Sequence, residues 1–129
     1  GINVTYSNKG ANITFEDFLL FDFGKADINA GGLAFLDKMA GLIQKIPYPV
    51  RVDGHTDNVP IHTARFPSNW ELSIARAVSV VKYFAESGNI NPQRLSAVGY
   101  GDTRPLVPND SPANRTKNRR VEIVLATEG

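Results

Sequence analysis

The residues best equipped for chemistry lie in two short stretches, Gly54-His55-Thr56-Asp57 and Leu72-Ser73-Ile74-Ala75-Arg76-Ala77. Asp57 offers a carboxylate and Arg76 a planar, always charged guanidinium; set a few ångströms apart, they could hold a group that carries an ammonium and a carboxylate together. Spacing alone also allows a plain surface salt bridge, worth about 0 to 1 kcal/mol. Asp53, His55 and Asp57 alternate along one strand with His62 beyond them, which imitates a metal site. A fourth ligand at fixed spacing is lacking, so neither metal nor cofactor is expected. His55 reads instead as a structural or ligand-adjacent hydrogen-bonding residue. Ser73 with His55 and an aspartate would imitate a nucleophilic triad. Ser73 falls inside a helix, however, and no Gly-x-Ser-x-Gly elbow occurs, so catalysis is not expected. Gly99-Tyr100-Gly101 precedes a loop rather than a helix and is no dinucleotide motif.

The elements that must position these residues follow from periodicity. Val50 to Asp57 alternates apolar or small with polar residues, as a half-buried strand with one wet face does. Asn58-Val59-Pro60 ends it, and Phe66-Pro67 fixes the approach to a helix. Ser68-Asn69-Trp70-Glu71 has the form of a capping box, the Ser68 hydroxyl taking the Glu71 N–H and the Glu71 carboxylate reaching back to the Ser68 N–H. Leu72 to Ala85 continues as helix, with Ile74, Ala77, Val78, Val81 and Ala85 as its apolar side and Arg76 off that side, turned toward solvent. Gly88 reads as the stop. Upstream, Ile2 to Tyr6 and Ala11 to Phe15 form a hairpin about Ser7-Asn8-Lys9-Gly10. A first helix runs from Leu33 to near Lys45 before Pro47 and Pro49. Leu95 to Tyr100 and Arg120 to Leu125 complete the strands, and Gly101 to Asn118 reads as a long loop. The result is an α+β two-layer sandwich, helices on one face of a mixed sheet, in the order β-α-β-α-β-β after an N-terminal hairpin.

At 129 residues the chain is one domain with room for a core. A net charge of +1 excludes a general polycation. The basic cluster Arg115, Lys117, Arg119 and Arg120 lacks an interleaved aromatic row, so no nucleic acid is expected. Without cysteine there is no disulfide framework. No run approaches the ~20 apolar residues of a membrane span.

Taken together, Gly54-His55-Thr56-Asp57-Asn58-Val59-Pro60-Ile61, then Phe66-Pro67-Ser68-Asn69-Trp70-Glu71-Leu72-Ser73-Ile74-Ala75-Arg76-Ala77, then Asn118-Arg119-Arg120-Val121-Glu122-Ile123 resemble the OmpA-like peptidoglycan-binding family. The resemblance covers Phe18 to Leu125. The proline-bearing segment Val59 to Pro67 makes it most similar to the flagellar motor stator branch of that family. The resemblance implies a non-enzymatic module in which Asp57 and Arg76 clasp the diaminopimelate of the peptidoglycan stem peptide. Thr56, Asn69, Leu72, Arg119 and Arg120 would complete the site, with Asn69 either supporting the pocket or merely capping the helix. Trp70 is open between stacking on sugar and anchoring the core. Asp57 and Arg76 lie off the apolar sets, so changing either is expected to leave the fold nearly intact. The resemblance further implies a periplasmic fragment of an inner-membrane protein whose transmembrane helix and linker precede Gly1. Such a protein would work as a homodimer with a channel-forming partner subunit and serve motility and chemotaxis. The alternatives are a generic envelope-to-wall tether and, from another class, a hydrolase or metalloenzyme acting on wall fragments.

Overall fold

The computed structural model describes residues 2–126. Strands β1 (Ile2–Ser7) and β2 (Gly10–Glu16) form the expected hairpin, with Val4 opposite Ile13. Helix α1 (Ala30–Ile43) follows, its first turn capped by the Asn29 side chain accepting from the Gly32 N–H. Then come β3 (Val50–His55), α2 (Asn69–Glu86), β4 (Leu95–Gly99), α3 (Pro112–Asn118) and β5 (Arg120–Ala126). The sheet order is β1-β2-β5-β3-β4. Only β3 and β4 run parallel, and α2 makes the crossover between them.

The core lies between one sheet face and the first two helices. Phe15, Val50, Val52, Val121 and Ile123 meet Leu36, Met39 and Ile43 of α1 and Ala77, Val80 and Phe84 of α2. The stripe that α2 buries is Leu72, Ser73, Arg76, Ala77, Val80 and Phe84. Ile74 and Val78, expected inward, are exposed. The reason is the closeness of helix and sheet. Gly54 and Gly99 are paired across β3 and β4. A β-carbon on Gly54 would stand 2.3 Å from the Ser73 carbonyl oxygen, and one on Gly99 would stand 2.6 Å from the Ile74 nitrogen. The Ser73 backbone thus lies directly over Gly54 with its small side chain turned inward, while the Ile74 side chain lies over Gly99 at the edge strand β4 and stays half exposed. The Ser73 hydroxyl donates to the Trp70 carbonyl and accepts from the Gly101 N–H, both at 3.0 Å, tying the helix to the loop after β4.

Three further expectations change. The Ser68 cap takes the Trp70 N–H, and its hydroxyl donates to the Glu71 carboxylate, so the reciprocal capping box is not made. Gly88 does follow the Ser87 C-cap as the stop of α2, but the left-handed residue is Asn89, and Gly88 is needed for space beside Ala40 of α1. The stretch from Gly101 to Asn118 ends in a helix, α3, capped by Ser111 with Pro112 in its first turn. Buried Asn118 holds the preceding loop. Its oxygen accepts from Leu106 and Val107, and its amide donates to the Val107 carbonyl and to Asn109.

Gly54→Ala should therefore destabilise the domain by about 3 kcal/mol, since its methyl meets backbone that cannot rotate away. Denaturant unfolding measures it, and an unchanged midpoint would contradict this packing.

Candidate functional site

A cavity of about 300 Å³ opens where the end of β3, the first turns of α2, the segment after β2 and helix α3 converge. Thr56, Asp57, Asn69, Leu72, Arg76 and Arg119 all line it. Arg120 does not. It points to the other sheet face, where it binds Glu122 at 2.7 Å and the Arg104 carbonyl at 3.0 Å. Trp70 also lies outside the cavity, its ring against Gly101.

The charges pair differently from the expected clasp. Arg76 is 4% exposed and belongs to the core stripe rather than to solvent. Its Nη1 donates to Asp17 Oδ2 at 2.5 Å, its Nε to the Lys25 carbonyl at 2.8 Å and its Nη2 to the Asp22 carbonyl at 3.3 Å. The guanidinium also sits 5.0 Å from the centre of the Phe21 ring. Burial raises the Asp17 carboxyl above its ordinary range, with Arg76 working in the opposite direction. Asp57 is 6% exposed. Its Oδ2 accepts from Arg119 at 2.5 Å and its Oδ1 from the Val59 N–H at 3.0 Å. Asn69 supports the turn rather than the cap, donating to the carbonyls of Asp57 and Val59.

Sequence reasoning missed Asp17, Phe23, Gly24 and Ile61 as lining residues. A second small apolar cluster, Ala26, Phe66 and Leu72 with Ile61 against it, fastens two of the lining segments to α2. An exposed pair between Arg65 and Asp27 joins the same two segments. Phe23, 92% exposed, stands at the rim with Val59 and Ile61.

An ionised carboxylate accepts about four hydrogen bonds. Asp57 uses one on each oxygen within the protein, so acceptor capacity remains for an incoming ammonium. Arg119, with 31% of its side chain exposed, stands beside Asp57 as a donor to a carboxylate, and Arg115 also lines the cavity. The arrangement has the chemistry to take a zwitterionic group against an apolar wall. Among the described residues no three His, Cys, Asp or Glu side chains gather as a metal site, and none of the helices there is long and apolar enough to cross a membrane.

The polar face of β3 is exposed at Arg51 but buried at Asp53 and His55. Asp53 is held by both Nε and Nη2 of Arg51 at 2.8 and 3.0 Å. His55 stacks on Tyr100, lies 3.3 Å from Glu122 and leaves Nδ1 buried without a partner. Burial, with Arg120 beside it, lowers the His55 pKa from 6.5 to about 4.

The model for the OmpA family matches residues 20–119. Motility protein B of Bacillus subtilis strain 168 is 36% identical over 124 residues, covering 95% of this chain and 48% of that protein. The crystal structure of the periplasmic domain of Helicobacter pylori MotB (residues 78–256) superposes with a TM-score of 0.91 at 36% identity, covering 100% of this chain and 83% of that one. The cell wall anchor of the type VI secretion system of Pseudomonas aeruginosa superposes with a TM-score of 0.93 at 35% identity, covering 98% and 88%. The chain spans about half the length of the curated relatives it matches.

Arg76→Ala should cost about 3 to 5 kcal/mol of stability, because it strands Asp17 in the interior. A melting curve like that of the parent would contradict the buried pair. A second outcome concerns pH. The folded domain keeps His55 neutral down to about pH 4, whereas the unfolded chain takes up a proton near 6.5. Between those values the unfolded state binds more protons, so stability falls on acidification from pH 6.5 to 4, by about 3 kcal/mol from this group. His55→Gln should flatten that part of a plot of Tm against pH; an unchanged slope would contradict it.

Proposed function

This chain belongs to the OmpA family, and we propose that it is a non-enzymatic anchoring domain that binds peptidoglycan noncovalently through the Asp57 pocket. The observation that carries the reading is a buried carboxylate with acceptor capacity left, set beside guanidiniums in an apolar-walled cavity. Diaminopimelate ends in an ammonium and a carboxylate on one carbon. The ammonium goes to Asp57 and the carboxylate to Arg119 beside it. Arg76 serves chiefly by holding Asp17 and the carbonyls of Asp22 and Lys25, which shapes the wall against which the ligand rests.

In the whole protein the domain would sit in the periplasm and fix a flagellar motor stator to the wall, so that torque from ion flow acts on the rotor. The likeness to Motility protein B supports this. A preceding transmembrane helix and linker, a homodimeric arrangement and a channel-forming partner subunit belong to the same proposal. The likeness to a secretion-system wall anchor supports a second reading, a tether for another envelope machine. The segment that joins the domain to its membrane anchor distinguishes the two.

The test is co-sedimentation with purified insoluble peptidoglycan. The parent domain should pellet with the wall, less so as salt rises. Asp57→Asn should remove binding, a loss of about 2 to 5 kcal/mol. Its Tm should stay within a few degrees, since asparagine still accepts from the Val59 N–H. Wall binding by Asp57→Asn equal to the parent's would overturn the assignment.

A further inference from the structure

We propose that Arg115 reads a second carboxylate on the ligand, one lying beyond the ammonium and carboxylate pair, so that the pocket selects a stem peptide carrying it free over one carrying its carboxamide. The inference rests on the peptidoglycan reading above and adds a specificity-determining residue to it. The starting observation is a charge imbalance. Among the described residues the pocket is lined by two carboxylates, Asp17 and Asp57, and three guanidiniums, Arg76, Arg115 and Arg119. Arg76 is matched to Asp17 and Arg119 to Asp57, each at 2.5 Å. Arg115 makes no side-chain hydrogen bond or ion pair with any described residue, yet it is half-buried and lines the cavity.

Its place is fixed by the backbone. The Arg115 N–H donates to the Ser111 carbonyl at 2.9 Å, and the Arg119 N–H donates to the Arg115 carbonyl at 3.1 Å, so Arg115 lies on α3 and Arg119 one turn later at its C-cap. Thr116 and Asp57 together steer the Arg119 guanidinium away along the pocket floor. Like charges at this spacing repel unless answered. A zwitterionic head brings no net charge, so it leaves Arg115 unanswered and adds desolvation as it covers the pocket. A ligand with one more anion answers it at a half-buried side chain, where water screens less than on an open surface. A guanidinium donates to a carboxylate with two parallel bonds, which a neutral carboxamide cannot accept. This gives the discrimination.

On a stem tripeptide, L-alanyl-γ-D-glutamyl-meso-diaminopimelate, two carboxylates lie outside the zwitterionic head: the glutamyl α-carboxylate and the one on the peptide-linked centre of diaminopimelate. The experiment titrates the domain calorimetrically with the free tripeptide and with two versions, each amidated at one of these positions. One amide should bind about tenfold more weakly than the free tripeptide, and which one it is identifies the carboxylate. Arg115→Gln should bind all three alike, and Arg115→Lys should keep part of the preference. Thermal melting checks that both variants are folded, and the lysine variant retains the test if the glutamine one is not. The proposal is overturned if the parent domain binds the three peptides within twofold, or if Arg115→Gln weakens all three by one factor. Failure of the parent to bind any of them removes the peptidoglycan reading as well, whereas binding without discrimination removes only this inference.

Discussion

A guanidinium with 4% exposure in a chain of 129 residues dictates much of what surrounds it. Taking Arg76 out of water costs several kcal/mol unless its donors are met by an opposing charge and further acceptors. The chain meets them with the Asp17 carboxylate, two backbone carbonyls and the Phe21 ring, all from the segment after β2. That segment is therefore pulled against α2 rather than left to solvent. Its displacement there forms one side of the cavity, with Phe23 and Gly24 at the rim. A structural ion pair thus builds one wall of the cavity, which Asp57, with Arg119 upon it, and Arg115 also line.

Arg76 can occupy this position because α2 lies against the sheet almost backbone to backbone. The glycine pair of β3 and β4 permits that approach, and Ser73 secures it through Gly101. Asn69 then reaches the turn after β3 and holds the carbonyls of Asp57 and Val59. On the far side, Asn118 pins the loop before α3, so that Arg119 arrives beside Asp57. Three separate elements are brought to one carboxylate by contacts that involve little of the apolar core. The site is thus held chiefly by polar contacts outside the main apolar core.

Much of this was legible in the sequence wherever the signal is local. Period-two alternation located the hairpin, β3 and β5. Proline and serine chemistry located the start of α2, and the two motifs around Asp57 and Arg76 located the pocket. What could not be read depends on distance along the chain or on packing. Asp17 is 59 positions from its partner and looks like an ordinary acid before an apolar cluster. The inward stripe of α2 contains Ser73 and Arg76 because of the glycine contact, so counting apolar residues selected a neighbouring stripe. Asp53 and His55 look solvated on alternation alone, but Arg51 of the same strand covers Asp53, and Tyr100 just after β4 and Glu122 of β5 lie against His55. Helix α3 is short and carries no apolar stripe. Its one signal was the Ser111-Pro112 start, hidden inside a stretch rich in proline.

The most direct test of the account is a map of backbone amide shifts as a diaminopimelate-containing stem peptide is added. The account requires the large changes to fall on Thr56 to Ile61, on Asn69 and Leu72, and on the α3 segment from Arg115 to Arg119, with the hairpin and the exposed Trp70, Ile74 and Val78 side of α2 unchanged. Saturable shifts centred on either of those other surfaces, with the Asp57 segment silent, would contradict it.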